Sequence, residues 1–591
     1  MLLLLACAPD PGPAYAVPVG ATAGWYEPLS TLTTFPDDLH TVDTDDGLQV
    51  AFADQAGDDL RAQIPSDFTL VEALEELDGW SLAAGIVLRF TAPLDPDSLT
   101  DSTVRLVELA TGSEHAIELE LTDDDATLIA TPLFPLAPGT AYGLAVAGAL
   151  DAEGREVYPS PDLHGLLRAD PYQDPLLQRL HGRYAALTAA TGWGADEVDA
   201  ATVFTTQTLD GADAQVQAEL ADHTPSLAAL GCTDEGDVVS CEASLEALDF
   251  LGDDHVLAEP TAQQTYTLPV SIWLPSGADG PVPVVIYGHG LGGKRSEGKG
   301  VARTLAAAGL GVASIDAPSH HEHPAGAPDE DFFWVFDFFG IDVYEQSFEV
   351  RRLRDGWRRA AWDKLQLAEA LRSEPDLDGD GASDVLPSPM GYAGHSLGGI
   401  MGPQLLALDE GITAAELATP GGRVTEIVHR GEIFAPMIAL MAPEGTSQGE
   451  VDRFFPMLQA AVERGDAVHH VGAVLNGERD LLLTQVLDDD IIPNACTRVL
   501  ARAAGVEHAD PILQEVAGLD EAGALPLAAN LDGRTGLLYQ FDEMVDDGVL
   551  QDATHTHIHG SDSGVAQYLH FWQTWLDTGV AEVVDPMTEA P

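Results

Sequence analysis

The chain has 591 residues, 45% of them hydrophobic and 7% aromatic, so it is long enough for two or three domains with sizeable cores. It carries 97 acidic against 26 basic residues, a formal net charge of −71 and a pI near 4.1. A surface this negative repels phosphate backbones, which argues against nucleic acid as a partner. The charge fits solubility in a salty or crowded medium, where ions screen the self-repulsion.

Residues 1–25 contain a short apolar segment followed by a Pro-, Gly- and Ala-rich tether. The segment Leu4–Cys7 resembles the lipobox of bacterial lipoproteins, in which the cysteine becomes lipidated. The apolar run before Cys7 is shorter than the h-region of about 7–15 residues in a signal peptide, and no basic residue precedes it. Either the true start lies upstream or the resemblance is accidental. We interpret residues 1–25 as a leader remnant and tether, which predicts an exported protein that is secreted or is held at a membrane by lipid on Cys7.

Three further cysteines follow. Cys232 and Cys241 flank an acidic loop and could form a disulfide in an oxidising compartment, although the sequence leaves their pairing open. Cys496 is the odd cysteine, and we expect a buried thiol. No stretch of 18 consecutive apolar residues occurs, so the sequence predicts no membrane-spanning helix.

Residues 26–165 are predicted to form an all-β domain. Between about residues 80 and 160, short apolar alternations are broken by Pro, Gly and Asp turns. This stretch, the segment PLAPGTAYGLAV above all, resembles the bacterial Ig-like domains of surface proteins. Residues 166–262 begin with a helical pattern and continue as acidic, irregular sequence, so we expect them to connect this domain to the next.

Residues 263–591 are predicted to form an α/β domain. Strand-like runs such as PVPVVIYGHG alternate with helical ones, and this alternation favours a mostly parallel sheet flanked by helices. In such sheets the chemistry lies beyond the carboxyl ends of the strands.

Gly394–Gly398 fits the G-x-S-x-G nucleophile elbow, with a strand candidate before Ser396 and a helix candidate after it. A strand that turns sharply into a helix leaves no room for side chains two residues on either side of the nucleophile. The N–H of Leu397, at the start of the helix, can donate to an oxyanion. Ser396 is therefore the predicted nucleophile.

The remaining parts follow in the order serine, acid, histidine, which the α/β-hydrolase fold uses. The segment YGHGLGG resembles an α/β-hydrolase oxyanion loop, with the Leu291 N–H as second donor. Asp489 stands four residues before Pro493, as in a pattern common in these hydrolases, and Asp488 and Asp490 are its rivals as the acid.

The predicted base lies in the loop before the last amphipathic helix, which contains His555, His557 and His559. Spacing to the helix favours His557, and one imidazole suffices as general base. Three alternating histidines could instead bind a metal. A second histidine-rich segment, His320–His323, resembles metal ligands only loosely.

The Ig-like part, the segment RDGWRRAAWDKLQLAEAL, the run DLDGDGASD before GHSLGGIMG, and IIPN together resemble bacterial surface lipases of the VolA/Pla-1 type, which are related to bacterial virulence-factor lipases. The resemblance covers most of the chain, and its specific parts are the elbow and the Asp-rich loop. It implies an α/β-hydrolase fold and lipase or lysophospholipase activity without an organic cofactor.

The run DLDGDGASD predicts a structural calcium site. Its aspartates occupy positions 1, 3, 5 and 9 of an EF-hand-like loop, with Gly381 at the sharp turn. Position 12 is Pro387 rather than a bidentate Glu, so one ligand must come from elsewhere or from water. The alternative is an acidic solvated turn. The predicted ligands are Asp376, Asp378, Asp380 and Asp384.

These patterns predict an exported serine hydrolase that acts on a small ester or a lipid through an acyl-enzyme. A serine peptidase is the alternative among enzymes. A surface adhesin or binding lipoprotein with an inactive hydrolase domain is the alternative from another class. The sequence leaves open the acyl length, the alcohol moiety and the oligomeric state.

Overall fold

The computed structural model describes residues 15–29, 31–45, 47–52, 54–65, 67–122, 125–168, 175–209, 211–326, 334–476 and 479–589. The chain divides into two compact units. The first, here called the β unit, comprises Met1–Ile64, Glu75–Thr208 and Gly445–Met457. The second, the α/β unit, comprises Pro65–Leu74, Leu209–Glu444 and Leu458–Pro591.

The β unit is built mainly from short strands. Numbered along the chain, β1–β12 are Thr22–Ala23, Thr34–Phe35, Thr41–Thr44, Gly47–Val50, Ile86–Arg89, Val104–Glu108, Glu114–His115, Ile117–Leu121, Thr127–Pro132, Ala141–Ala147, Val157–Tyr158 and Val198–Thr205. Within the described residues they form two four-stranded antiparallel sheets, ordered β12–β10–β6–β7 and β2–β5–β9–β8, and two smaller pairings.

The β unit extends past the predicted boundary at residue 165, because its second segment runs to Thr208 and its third is Gly445–Met457. Strand β12 pairs with β10 across Ala141–Ala147, so the predicted connecting region 166–262 begins inside this unit. The helix at Pro175–Thr191 buries Leu177, Leu180, Tyr184 and Leu187, one residue per turn, in the same core. The Ig-like character of the unit stays a prediction.

The α/β unit contains the remaining strands. These are β13–β29, at Leu227–Asp234, Val238–Asp249, Gln264–Pro275, Val282–Gly288, Gly311–Ile315, Ile341–Asp342, Ser347–Phe348, Val385–His395, Ile412–Ala418, Asp480–Val486, Glu507–Ala509, Glu521–Gly523, Leu527–Ala528, Gly536–Phe541, Glu543–Asp546, Val549–Asp552 and Glu582–Val583. In the described part of the chain, eleven of them form one sheet in the order β13–β14–β15–β17–β16–β20–β21–β22–β26–β23–β24. The strands from β17 to β24 run parallel, and β13–β15 are antiparallel. The predicted α/β class with a mostly parallel sheet is confirmed.

The start of the α/β unit differs from the prediction. Residues 209–262 are not an irregular connection, because β13 and β14 form a hairpin that extends the large sheet. From Cys241 onward β14 alternates buried and more exposed residues, with Glu242 and Glu246 on exposed positions and Asp249 buried at the end of the strand. Cys232 lies directly opposite Cys241 in this hairpin, and the two form a disulfide. Cys496 is a buried free thiol, as expected.

The helices flank or cap these sheets. They are α1–α16, at Asp54–Gln63, Leu70–Glu75, Pro161–Leu167, Pro175–Thr191, Ala212–Asp222, Gly298–Ala306, Trp334–Phe338, Val350–Arg372, Leu397–Leu408, Val424–Arg430, Ala435–Met441, Gln448–Val462, Gly472–Asn476, Asn494–Ala504, Asp562–Thr578 and Pro586–Glu589. Among the helices described, none combines the length and the apolar composition needed to cross a bilayer.

The sheet topology places the predicted site residues at one edge. Strands β16, β20, β21, β22 and β26 are parallel neighbours, so their carboxyl ends lie side by side. The chain leaves β16 at Gly288, β20 at His395 and β22 at Val486, directly before the predicted oxyanion turn, nucleophile and acid. The fold therefore gathers three segments that are far apart in sequence.

Candidate active site

Ser396 occupies a sharp turn between β20 and α9. Its backbone has φ 55° and ψ −116°, a conformation that costs a non-glycine residue about 1–3 kcal/mol. The turn is held on both sides, because the Ser396 N–H donates to Ala418 O at 2.9 Å and the Ile400 N–H donates to Ser396 O at 3.0 Å. Strain of this kind is typical of a nucleophile elbow.

The two glycines of the motif have a steric function. A Cβ at Gly394 would lie 2.5 Å from the carbonyl carbon of Gly398, and a Cβ at Gly398 would overlap the carbonyl oxygen of Gly288. The start of α9 therefore packs directly on the ends of β16 and β20. This agrees with the steric argument made from the sequence.

A buried imidazole links the serine to a carboxylate. The Ser396 hydroxyl donates to His555 Nε2 at 2.8 Å, and His555 Nδ1–H donates to Asp489 Oδ2 at 2.7 Å. The side chains of His555 and Asp489 are 3% and 2% exposed. Because a carboxylate can only accept from the imidazole, Nδ1 carries the ring proton and Nε2 is free to take a proton from the hydroxyl. This is the geometry of a general base held by an acid.

Asp489 is distinguished from its neighbours by its hydrogen bonds. Its second oxygen, Oδ1, accepts from the N–H groups of Ile491 and Ile492, both at 2.9 Å. Asp488 and Asp490 are exposed, and within the described residues neither carboxylate is bonded to a histidine. The structure therefore places Asp489, the acid favoured from the sequence, beside the imidazole.

The histidine favoured from the sequence is not the one at the serine. His557 is exposed, and its Nδ1 lies 3.1 Å from Thr554 Oγ1, whereas His555 occupies the position expected of the base. The spacing argument fails because the chain turns within 554–560, with His557 N–H donating to Thr554 O and a short 3₁₀ helix at Ile558–Gly560. In such a turn, alternate side chains do not share one face.

The other two imidazoles near the serine lie beneath it. His395 Nε2–H donates to the carbonyl oxygen of His555 at 3.0 Å, which fixes the backbone of the base. Burial, followed by the nearby His559, lowers the pKa of His395 to about 3, so this imidazole is neutral. His559 stacks on His395 at 5.5 Å and lies 3.4 Å from Glu416 Oε2. Apart from its position before the nucleophile, nothing in the sequence signals the role of His395.

Two backbone donors lie at the serine without partners of their own. Among the described residues, the N–H groups of Leu291 and Leu397 donate no hydrogen bond, and Leu397 heads α9. A Cβ at Gly290 would lie 3.5 Å from Ser396 Cβ, so the turn that carries Leu291 contacts the nucleophile. Their role as an oxyanion hole stays a prediction.

The Asp-rich loop precedes β20. Carboxylate oxygens of Asp376, Asp378 and Asp384 lie within 4.8 Å of one another. Asp380 is not part of this group, because its side chain turns to accept from the Ala382 N–H at 2.7 Å. Asp376 also accepts from two N–H groups of the loop, those of Gly379 and Gly381, so the turn is partly stabilised by its own backbone.

Calcium binding at this loop stays a prediction, and it is testable by melting. At calcium concentrations about a hundredfold above Kd, binding adds about 2.7 kcal/mol, so we expect the melting temperature to rise by roughly 3 °C over the value in chelator. Asp378→Asn should abolish the shift, whereas Asp577→Asn, at an exposed position on α15, should keep it. Equal melting with calcium and with chelator in calorimetry would contradict the site.

Two sequence predictions fall partly or wholly outside the described residues. Cys7, the predicted lipid attachment point, is one of them. The other is the aromatic run at 331–340, whose sequence fits a lid, an acyl-binding wall or a core helix, and it is described from Trp334 onward. Its Phe338 is buried against Trp357 at 5.0 Å, and Phe339 is buried against Phe434 at 5.6 Å. These two rings are therefore part of the core.

No protein-family model matches the sequence, and no curated protein matches it. Solved structures that this chain resembles include acetyl xylan esterase 1 from Thermoanaerobacterium sp. JW/SL YS485, with 12% identity, TM-score 0.37, and coverage of 59% of this chain and 88% of that chain. An acetyl xylan esterase from Paenibacillus sp. R4 has 13% identity, TM-score 0.36, and coverage of 59% and 87%. A CE15 glucuronoyl esterase from Teredinibacter turnerae T7901 has 15% identity, TM-score 0.34, and coverage of 60% and 79%. Likeness at this level does not identify a substrate.

Proposed function

We propose that this chain is a serine hydrolase of carboxylic esters with an α/β-hydrolase catalytic unit. The observation that carries the proposal is the buried series Ser396–His555–Asp489, with hydrogen bonds of 2.8 and 2.7 Å, at the carboxyl edge of a mostly parallel sheet. The strained elbow at Ser396 supports it, because such strain persists only where the surrounding structure imposes it.

The reaction follows from these contacts. His555 Nε2 takes the hydroxyl proton as Ser396 Oγ attacks the ester carbonyl carbon, and Asp489 stabilises the imidazolium that forms. The N–H groups of Leu291 and Leu397 hold the oxyanion of the tetrahedral intermediate. The imidazolium returns the proton to the alcohol oxygen as the ester C–O bond breaks. The alcohol departs, and the acyl group stays on Ser396. Water, activated by the same imidazole, then releases the acid and regenerates the hydroxyl. No organic cofactor is needed for these steps.

A surface adhesin with an inactive hydrolase domain is the weaker hypothesis. An inactive domain is under no constraint to keep Ser396 at φ 55° and His555 in one tautomer. Nor is it constrained to keep an Asp489 carboxylate whose two oxygens both accept hydrogen bonds. The geometry does not distinguish esters from peptides, and the choice of esters rests on the family resemblance of the sequence.

A series of chromogenic esters of increasing acyl length tests the proposal. We expect hydrolysis with kcat/KM that peaks at one acyl length, since an acyl chain that fills its site binds the transition state more tightly. An anilide of the preferred acid should react much more slowly. Its amine leaves only after the nitrogen has been protonated, whereas the phenolate of a chromogenic ester can leave as the anion. Absence of ester turnover in the folded protein, or faster turnover of the anilide, would contradict an esterase.

Export is part of the same proposal, since the Cys232–Cys241 disulfide is typical of an oxidising compartment. Lipid on Cys7 would then anchor the enzyme at a membrane. Cell fractionation of the chain with an intact leader should place it with membranes, and a Cys7→Ser variant should be soluble. Equal distribution of the two would contradict the anchor.

A further inference from the structure

The turn between β16 and α6 is held between two buried histidines. His289 Nδ1–H donates to the carbonyl oxygen of Gly290 at 2.8 Å, and the Gly293 N–H donates to the same oxygen at 2.9 Å. Both lone pairs of this oxygen are therefore occupied. The direction of the Gly290 carbonyl is fixed from two sides.

The direction of the Leu291 N–H follows from that of the Gly290 carbonyl. The two groups belong to one peptide plane, and in a trans peptide the N–H points opposite to the C=O. Fixing the oxygen toward His289 and Gly293 turns the Leu291 N–H away from them. This N–H donates no hydrogen bond among the described residues, and the turn contacts Ser396 at Gly290.

His320 holds the next peptide plane. The Gly292 N–H donates to His320 Nε2 at 3.2 Å, and His320 Nδ1–H donates to Pro318 O at 2.8 Å. A carbonyl can only accept and an N–H can only donate, so one tautomer satisfies both bonds, with the proton on Nδ1 and a bare Nε2. His320 is fully buried, and burial lowers its pKa to about 4, which keeps the imidazole neutral near pH 7.

The segment that carries His320 is itself anchored. The Ala317 N–H donates to His289 Nε2 at 2.9 Å, which ties this segment to the turn a second time. His323 Nε2–H donates to Asp363 Oδ2 at 2.9 Å, and both side chains are buried. His320 is thus fixed to α8 through its own loop. Both ring nitrogens of His320 and of His323 take part in hydrogen bonds, so in this arrangement neither imidazole offers a free lone pair to a metal.

We propose that His320 is a positioning residue for ester hydrolysis. By accepting from the Gly292 N–H, it holds the peptide plane that follows Leu291. His289 and Gly293 hold the plane that carries the Leu291 N–H, and the two planes together keep this N–H directed at the oxyanion. Without this bond the Leu291–Gly292 peptide plane can rotate. Leu291 is then held on one side, through the preceding peptide plane that His289 and Gly293 fix. The inference rests on the proposed function, and specifically on Leu291 as an oxyanion donor.

The test compares two near-isosteric variants. His320→Gln keeps an acceptor near the position of Nε2, whereas His320→Asn keeps a polar group only near Nδ1. Loss of one oxyanion donor costs roughly 10²–10³-fold in kcat, so we expect His320→Asn to lower kcat roughly 10–100-fold. KM should change by less than about threefold, because the oxyanion exists only in the transition state. His320→Gln should recover most of the lost kcat.

His508→Ala is the matched control, because it removes another buried imidazole of the α/β unit, on β23. It should keep kcat even if it lowers the melting temperature. Equal kcat for the Gln and Asn variants, or wild-type kcat in His320→Asn, would overturn the inference, as would a loss that appears in KM alone. Failure of the proposed function is distinguishable, since wild-type enzyme would then lack ester turnover or Ser396→Ala would retain it.

Discussion

Ser396→Ala is expected to lower kcat for a short chromogenic ester by about 10⁵–10⁶-fold, because the members of a triad act as a unit. In the proposed mechanism the Ser396 hydroxyl forms the acyl-enzyme, and it is the group that His555 Nε2 contacts. The residual rate should stay above the rate of uncatalysed hydrolysis in water, since the oxyanion donors remain.

The matched control for this variant is Ser373→Ala, which removes a hydroxyl at the end of α8 that donates to Ala370 O. Circular dichroism and melting of both variants should match those of the unmodified chain. Substantial turnover by a folded Ser396→Ala protein, with purified enzyme and no contaminating esterase, would rule out the serine mechanism.

The second prediction with a large effect distinguishes His555 from His557 as the general base. His555→Ala should lower kcat about as much as Ser396→Ala, because it removes the base that contacts the hydroxyl at 2.8 Å. His557→Ala should stay within about threefold of the unmodified enzyme, since its imidazole is exposed and contacts Thr554.

A double variant sharpens this comparison. Ser396→Ala combined with His555→Ala should be no slower than either single variant, because each already abolishes the shared step. Additive losses would show that Ser396 and His555 act independently, which would contradict the shared step. A loss in His557→Ala that exceeds the loss in His555→Ala would show that His557 is the base. The measurement is kcat at saturating ester for the unmodified enzyme and the four variants under one set of conditions.

The sequence by itself determined the elbow and the class of the catalytic unit. The elbow depends on local sterics, since glycines at 394 and 398 are required wherever a strand turns directly into a helix over a neighbouring strand. The mostly parallel sheet followed from alternating strand and helix patterns. Asp489 could be favoured over its neighbours because its spacing to Pro493 reflects a local turn, in which its Oδ1 accepts from two following N–H groups.

Only the tertiary structure decided which histidine meets the serine, which residues begin the α/β unit, and whether Cys232 and Cys241 pair. The first depends on contacts between segments far apart in sequence, since His555 meets Ser396 and Asp489. The other two depend on strand pairing and register, since β14 pairs with β15 and places Cys241 opposite Cys232 on β13. Local spacing cannot resolve a turn such as 554–560, where alternate side chains diverge. Nor can it show that residues 65–74 belong to the α/β unit, because that membership is a property of packing rather than of chain order.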